Sequence, residues 1–376
     1  MIYLDHNATT PVDERVMAAM LPYFSQRYGN PSSRHQFGRQ ARLAVEEARE
    51  KVAASVGAQA SQVLLLSGGS EANNLAIRGL AASLPPTQVV CGSVEHPCVA
   101  SPCKDLAAQG WRLRKLAVDR DGVYDFHDLA ESLREPTGLV SLMLANNETG
   151  AVQDIPAAAQ MARSAGAWLH TDAVQALGKM KVDFPALGVH AMTLSGHKIY
   201  GPKGVGALVL DKRVELKPQV TGGGHERGMR AGTENVPSIV GFGVACELAA
   251  MRAETDAVRW LKLRERLESA LASMGGVIFG QAARRLPNTS FFAFPDIEGE
   301  TLLMALDRAG FYVASGSACS SSSTEPSAVL LAMGVEPGLA RGAIRVSLGQ
   351  SSQIEEVERF IQALPVEMSR LRAMLN

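Results

Sequence analysis

The chain has 376 residues, and its 37 Lys+Arg stand against 38 Asp+Glu. Near-balanced charge without a long like-charge run excludes a nucleic-acid stripe or a polybasic membrane patch. The length allows two domains and a large buried core.

The five cysteines are odd in number, irregularly spaced and never in Cys-x-x-Cys. That argues against a disulfide framework or a zinc site and fits a reducing cytosol. The start, Met1-Ile-Tyr-Leu-Asp-His-Asn7, has neither a basic n-region nor an apolar h-region, so no signal peptide is expected. The most apolar stretch, residues 236–251, is broken by Pro237, glycines and Glu247, and predicts a buried helix rather than a membrane span. Cys91, Cys98, Cys103 and Cys246 lie in apolar or helical contexts and read as core thiols.

In chain order, Asp5-His-Asn-Ala-Thr-Thr10 is a turn-rich opening, and Asp13 is placed to cap a helix reaching about Ser25. A long helix rich in Ala, Glu and Arg is predicted from about Phe37. The apolar run Val63-Leu-Leu-Leu66 predicts a strand, followed by Ser67-Gly-Gly-Ser70 and a helix. That order makes either an anion site, with free N–H groups and a helix dipole on one spot, or a plain strand–helix connection. Strand and helix patterns then alternate. The predicted strands near residues 88–93, 139–145 and 168–171 run into Glu95-His96-Pro97, Asn146-Asn-Glu-Thr-Gly150 and Asp172-Ala-Val-Gln175. Such alternation predicts an α/β domain with a mostly parallel sheet between helices. In such sheets ligands bind off the carboxyl ends of the strands. Ser70, His96, Asn147, Asp172 and Lys198 all fall at such ends.

Lys198 lies in Ser195-Gly-His-Lys198-Ile-Tyr-Gly-Pro-Lys-Gly204, at a break between two apolar strands. It is either a solubilising lysine of a tight turn or a reactive amine able to form a Schiff base with an aldehyde. Beyond it come a glycine-rich loop, residues 221–233, and a helical stretch with bends over about 236–274. A second set of alternating strands and helices follows. Cys319 sits in Ser315-Gly-Ser-Ala-Cys319-Ser, within a tract of small residues. It is either an incidental thiol on a linker or a reactive one on a mobile loop. A lysine for an imine, an aspartate for a ring nitrogen and a helix N-terminus for a phosphate are together the requirements of pyridoxal phosphate. No Gly-x-x-x-x-Gly-Lys-Ser/Thr or Gly-x-Gly-x-x-Gly occurs in a strand–helix context, which counts against a nucleotide-binding protein.

The Lys198 and Cys319 segments, His170-Thr-Asp-Ala-Val-Gln175, Glu95-His96-Pro97, Asn146-Asn-Glu-Thr-Gly150 and Arg227-Gly-Met-Arg-Ala-Gly-Thr233 resemble the cysteine desulfurases of the NifS/IscS type. These are class V aminotransferase-like enzymes of fold-type I. The resemblance runs from Tyr3-Leu-Asp-His-Asn-Ala-Thr-Thr10 to Ile344-Arg-Val-Ser-Leu-Gly349. It implies a large domain over residues 15–255 with a mostly parallel mixed sheet. It also implies a smaller α/β domain from 1–14 and 256–376, carrying the catalytic-cysteine loop at about 313–326.

The resemblance also assigns roles. Lys198 carries pyridoxal 5'-phosphate and moves the substrate Cα proton. Asp172 pairs with the ring nitrogen, Gln175 bonds the phenolic oxygen, and His96 stacks on the ring and shuttles protons. Gly69, Ser70, Ser195 and His197 hold the phosphate, and Thr233 reaches the phosphate of the other subunit of a homodimer. Asn147 and Arg345 take the substrate carboxylate, and Cys319 attacks the sulfur of L-cysteine and hands it to an acceptor protein. Scaffold-binding members extend further at the C-terminus, so the acceptor is left open between an iron–sulfur scaffold and a thiolation enzyme. Sulfur is likewise left open against selenium, as in a selenocysteine lyase. A non-catalytic scaffold on the same fold is disfavoured by the intact lysine, aspartate and thiol.

Overall fold

A computed structural model describes residues 1–316 and 325–375. The framework is a seven-stranded sheet of β1 (Val63–Leu66), β2 (Gln88–Gly92), β3 (Arg112–Leu116), β4 (Thr137–Ser141), β5 (Trp168–Asp172), β6 (Ala191–Ser195) and β7 (Gly206–Leu210). Their order is β1-β7-β6-β5-β4-β2-β3. All neighbours are parallel except at β7, which runs antiparallel to both β1 and β6. This is the mostly parallel α/β sheet that the strand–helix alternation predicts.

Successive side chains of a strand point to opposite faces, and here each face has its own core. Val63 and Leu65 of β1, Val90 of β2 and Ala207 and Val209 of β7 enter one. Leu64 and Leu66, Val89 and Cys91, and Leu208 enter the other. Burial on both faces is why these strands read as continuous apolar runs. The edge strand β3, Arg112-Leu-Arg-Lys-Leu116, is mostly exposed and charged, which discourages pairing with another chain.

Helices α1 (Gln36–Ser55), α2 (Gly69–Ala81), α3 (Pro97–Ala107) and α4 (Ile155–Ser164) accompany the sheet. Asp13 caps the short helix Glu14–Met20, accepting from Arg15 N. The long α5 (Val236–Ser273) is one uninterrupted helix where the sequence predicts bends, because Pro237 falls in its first turn, where no N–H is needed. By length and composition it could cross a bilayer, but its apolar side is core: Phe242, Ala245, Cys246 and Ala249 are buried.

The second half of α5 enters a separate core. Trp260, Leu267 and Leu271 pack there with Phe292, Phe294 and Phe360, and with Ile2 and Leu4 from the start of the chain. Each such fully buried side chain contributes about 1.5–3 kcal/mol. Above this core lies an antiparallel sheet of β8 (Val277–Ile278), β9 (Thr289–Ala293), β10 (Ala314–Ser315) and β11 (Ile344–Ser347), in the order β10-β11-β9-β8. The final helix, α6, spans Ile354–Leu375. The opening residues are not only a turn: Ile2–Tyr3 pair in parallel with Phe311–Tyr312, and Asp5 bridges to Ser347. The chain then crosses to the main sheet, where Thr10 N donates to His197 O at 3.0 Å.

Candidate active site

The loops leaving β1, β2, β5 and β6, together with residues 143–148 beyond β4, converge on one cleft of about 520 Å³. Ser70, His96, Asn147, Asp172 and Lys198 all line it. They meet Arg345 from β11 and Asn7 from the N-terminal crossing. A cleft off the carboxyl ends of parallel strands is where an open α/β sheet binds its ligands.

Lys198 ends the short 3₁₀ turn Gly196–Lys198 that follows β6. Its Nζ donates to Asn7 O at 2.6 Å and Ala8 O at 2.7 Å. Side-on to it, Gln175 Nε2 donates to the same Asn7 carbonyl at 3.0 Å. Those two backbone carbonyls hold the amine in the cleft.

Asp172 closes β5 and is buried. Burial pushes its carboxyl above the usual range, opposed by the Val174 N–H and the Asn73 amide. Val174 N donates to Oδ1 at 2.9 Å and Asn73 Nδ2 to Oδ2 at 2.7 Å. His96 is the N-cap of α3, its Nδ1 accepting from Cys98 N at 3.2 Å. Nδ1 as acceptor places the proton of the neutral ring on Nε2. Burial lowers the imidazole pKa and so favours that neutral form.

Cys98, which the sequence places in a core, lines this cleft. Its Sγ lies 3.0 Å from His96 Nδ1 and 3.1 Å from Asn73 Nδ2. Pro97 is the first residue of α3, where its missing N–H costs nothing.

The opposite wall is built for an anion. Gly68 has φ 154° and ψ −179°, a conformation open to glycine alone, and α2 starts immediately after it without a side-chain cap. A Cβ on Gly69 would lie 3.0 Å from Val174 and 3.5 Å from Ser195 Cβ, so any side chain would fill the cradle. Ser195 Oγ is buried without a hydrogen-bond partner among the described residues. His197 adds a ring held near neutral, its pKa pushed down to about 4 by burial and by Lys198. Uncapped N–H groups at a helix start attract a phosphate.

At the far end Arg345 is buried. Its Nη2 donates to Asp5 Oδ1 at 2.7 Å and its Nη1 to Asn147 O at 3.0 Å. Glu148 beside them is buried, its carboxyl pushed up by that burial, and it accepts from Ser327 Oγ.

Of the residues singled out from sequence, Gly69, Ser70, His96, Asn147, Asp172, Gln175, Ser195, His197, Lys198 and Arg345 share the cleft. Thr233 does not. It lines a different hollow, with Leu66, Arg230 and Glu234. Cys319 lies outside the described residues.

Sequence reading missed Asn7, Asn73 and Lys179. Asn73 had a signal: it shares a helix face with Ala76, Ile77 and Leu80, all buried, and a fully buried amide on an apolar face needs a partner.

The fold and this cleft define an α/β enzyme of fold-type I. The family model described as aminotransferase class-V matches residues 2–360. A protein of Trichormus azollae named cysteine desulfurase is 44% identical over 377 residues, covering 100% of this chain and 94% of its own. Among solved structures, a NifS-like protein superposes with a TM-score of 0.93 at 36% identity, covering 98% of this chain and 99% of its own. One described as SspA in complex with cysteine gives a TM-score of 0.82 at 33% identity, covering 93% and 99%. The chain belongs to the aminotransferase class-V family, among its cysteine desulfurase-like members.

Pyridoxal phosphate is the cofactor of this class. The residues present fit it. A side-chain amine, a buried carboxylate and a helix start with an orphaned serine hydroxyl beside it supply the three kinds of contact that the cofactor needs.

Proposed function

We propose that this chain is a pyridoxal phosphate-dependent cysteine desulfurase, converting L-cysteine to L-alanine and leaving the sulfur as a persulfide on Cys319. What carries the reading is the meeting of Lys198, Asp172 and the uncapped start of α2 in one cleft that ends in Arg345. When bound, the cofactor supplies an aldehyde for amines and a ring that draws electrons from the substrate Cα.

Lys198 would hold the cofactor through its amine and carry the Cα proton. Asp172 would keep the proton on the ring nitrogen. His96 would face the ring and present its Nε2–H as a proton carrier, and Gln175 would donate to the ring oxygen. Gly69, Ser70, Ser195 and His197 hold the phosphate. Arg345 and Asn147 take the substrate carboxylate, as a guanidinium fork suits. The Cys319 thiolate attacks the substrate sulfur. A sulfur–sulfur bond forms, the substrate carbon–sulfur bond breaks, and the three-carbon unit leaves as alanine once reprotonated.

The chain acts as a homodimer in the cytoplasm. Thr233 lies away from its own cleft, which suits a residue serving a second subunit. Leu21, Phe24, Tyr28 and Phe37 are exposed close together in sequence, as an interface requires. Residues 15–255 form the cofactor-binding unit, and 1–14 with 256–376 the smaller one. The persulfide passes to an acceptor protein, an iron–sulfur scaffold or a thiolation enzyme.

The test is a yellow, cofactor-loaded protein assayed with L-cysteine for alanine and for persulfide, beside L-selenocysteine. Lys198→Ala should lose the covalently held cofactor. Cys319→Ser should keep it but form no persulfide. Colourless protein that takes up no pyridoxal phosphate would remove the reading, and unchanged sulfide release by Cys319→Ser would remove the role of that thiol.

A further inference from the structure

Lys179 is buried, four residues after Gln175 and just behind the cleft. A buried lysine ordinarily faces a carboxylate. Among the described residues no carboxylate pairs with this one, and its bonds go to two neutral amides. Nζ donates to Gln175 Oε1 at 2.5 Å and to Asn7 Oδ1 at 2.9 Å. The charged and titratable groups facing it are Lys198, Arg345 and His6. Burial, with Lys198 and Arg345, pushes its pKa far down. Neutral or protonated, the amine has at least two N–H groups, so both bonds persist in either state.

An amide side chain has one accepting and one donating end, and rotation by half a turn exchanges them. For Gln175 that choice is set from both ends: Lys179 Nζ donates to Oε1, and the Asn7 carbonyl, which can only accept, faces Nε2. The NH2 end must then point away from Lys179, and one of its hydrogens goes to Asn7 O at 3.0 Å. The second is left for the cleft that Gln175 lines. Asn7 is fixed in the same way. Its Oδ1 accepts from Lys179 and from Asn288 Nδ2 at 3.1 Å, which turns its Nδ2 to Thr289 Oγ1 at 2.9 Å. The Asn7 carbonyl that holds Lys198 is therefore set by the same amine.

We infer that Lys179 is a positioning residue for the cofactor: its amine holds the oxygen end of Gln175 inside the protein and commits the NH2 end as a donor to the cofactor's ring oxygen. The inference rests on the pyridoxal phosphate reading above. A donor at a negative ring oxygen stabilises the deprotonated form of the bound cofactor, and an amide turned over would present an oxygen there instead.

The experiment is a pH titration of the visible absorption of the cofactor-loaded protein without substrate. Lys179→Met should raise the midpoint by about one pH unit. Gln175→Met should raise it similarly, and the double variant should add nothing to Gln175→Met alone. Lys179→Ala, which leaves room for water, is read in the same way should the methionine variant not fold. A midpoint that stays at the parent value in loaded Lys179 variants overturns the inference, as does a double variant in which the two shifts add. Parent protein with no visible band sinks the cofactor reading itself, which keeps the two failures apart.

Discussion

Arg345 and Asp5 form an ion pair at 2.7 Å inside the cleft, joining β11 to the N-terminal crossing. With Asn147 O on its other nitrogen, the guanidinium plane is fixed before any substrate arrives. Its Nε is buried and has no partner in the described residues. Truncating a buried, hydrogen-bonded charge that meets a ligand carboxylate costs about 2 kcal/mol or more, roughly thirtyfold. Arg345→Ala should therefore raise KM for L-cysteine by about that factor with a smaller change in kcat. Asp5→Asn, which keeps an acceptor but loses the charge, should raise KM less. Steady-state kinetics decide it, and an unchanged KM in Arg345→Ala would place the carboxylate elsewhere.

Stability should fall as pH drops below neutral. Burial pushes the pKa of His6, His190 and His197 down to about 4 and that of His170 to about 3. Each lies below its unfolded value of 6.5, so each stabilises the fold fully above pH 6.5 and loses that stabilisation as pH falls through the folded value. Glu95 acts in the opposite sense. Burial raises it from 4.5 to about 8, so its contribution is present at low pH and is lost as pH rises through about 8. One group changes stability by about 1.4 kcal/mol per pH unit within its window. Below pH 6.5 the four histidines act together with Lys179, whose lowered pKa also makes stability fall with falling pH, and outweigh Glu95; between pH 6.5 and 8 Lys179 and Glu95 oppose each other. Urea midpoints should fall steeply below pH 6.5 and change little from there to pH 8. Glu95→Gln should make them rise between pH 6.5 and 8, and a profile identical to the parent's would clear Glu95 of this role.

Local pattern carried much of this into the sequence. Val63–Leu66 is a four-residue apolar strand between Ser61-Gln62 and Ser67-Gly68, and its limits were readable from that alone. Ser70, His96, Asn147, Asp172 and Lys198 were readable as a set because alternating strands and helices bring every strand's carboxyl end to one edge. Asn7 was not. Its place depends on Ile2–Tyr3 pairing with Phe311–Tyr312, a contact between chain ends that no local period encodes. Lys179 was not readable either, since lysine composition predicts exposure and only the tertiary fold buries it.

Asn73 joins two parts of the site, donating to Asp172 Oδ2 at 2.7 Å and to Cys98 Sγ at 3.1 Å. Both bonds favour the anionic form of their acceptor. Asn73→Ala leaves the buried Asp172 carboxylate with the Val174 N–H, so its pKa should rise further and the acid limb of kcat/KM should move to higher pH. Asp172→Asn removes the charge altogether and should cost about 10²–10³ in kcat. A pH–rate profile identical to the parent's in Asn73→Ala would show that the amide does not tune Asp172.

Cys98 is a thiol in the cleft, and the structure argues that it is not the sulfur carrier. Burial pushes its pKa up to about 11, with Asp172 adding to the shift. The nucleophile in sulfur transfer is the thiolate. At pH 7.5 a thiol with that pKa is almost wholly protonated, and its Sγ is already engaged by His96 and Asn73. Its loss removes one weak hydrogen bond, so Cys98→Ala should change kcat by about fivefold or less. Mass spectrometry of protein treated with L-cysteine should find the added sulfur on the peptide containing Cys319 in both the parent and Cys98→Ala, and on neither cysteine peptide in Cys319→Ser. Sulfur found on Cys98 in Cys319→Ser would make the cleft thiol an acceptor in its own right, against the protonation that burial imposes on it.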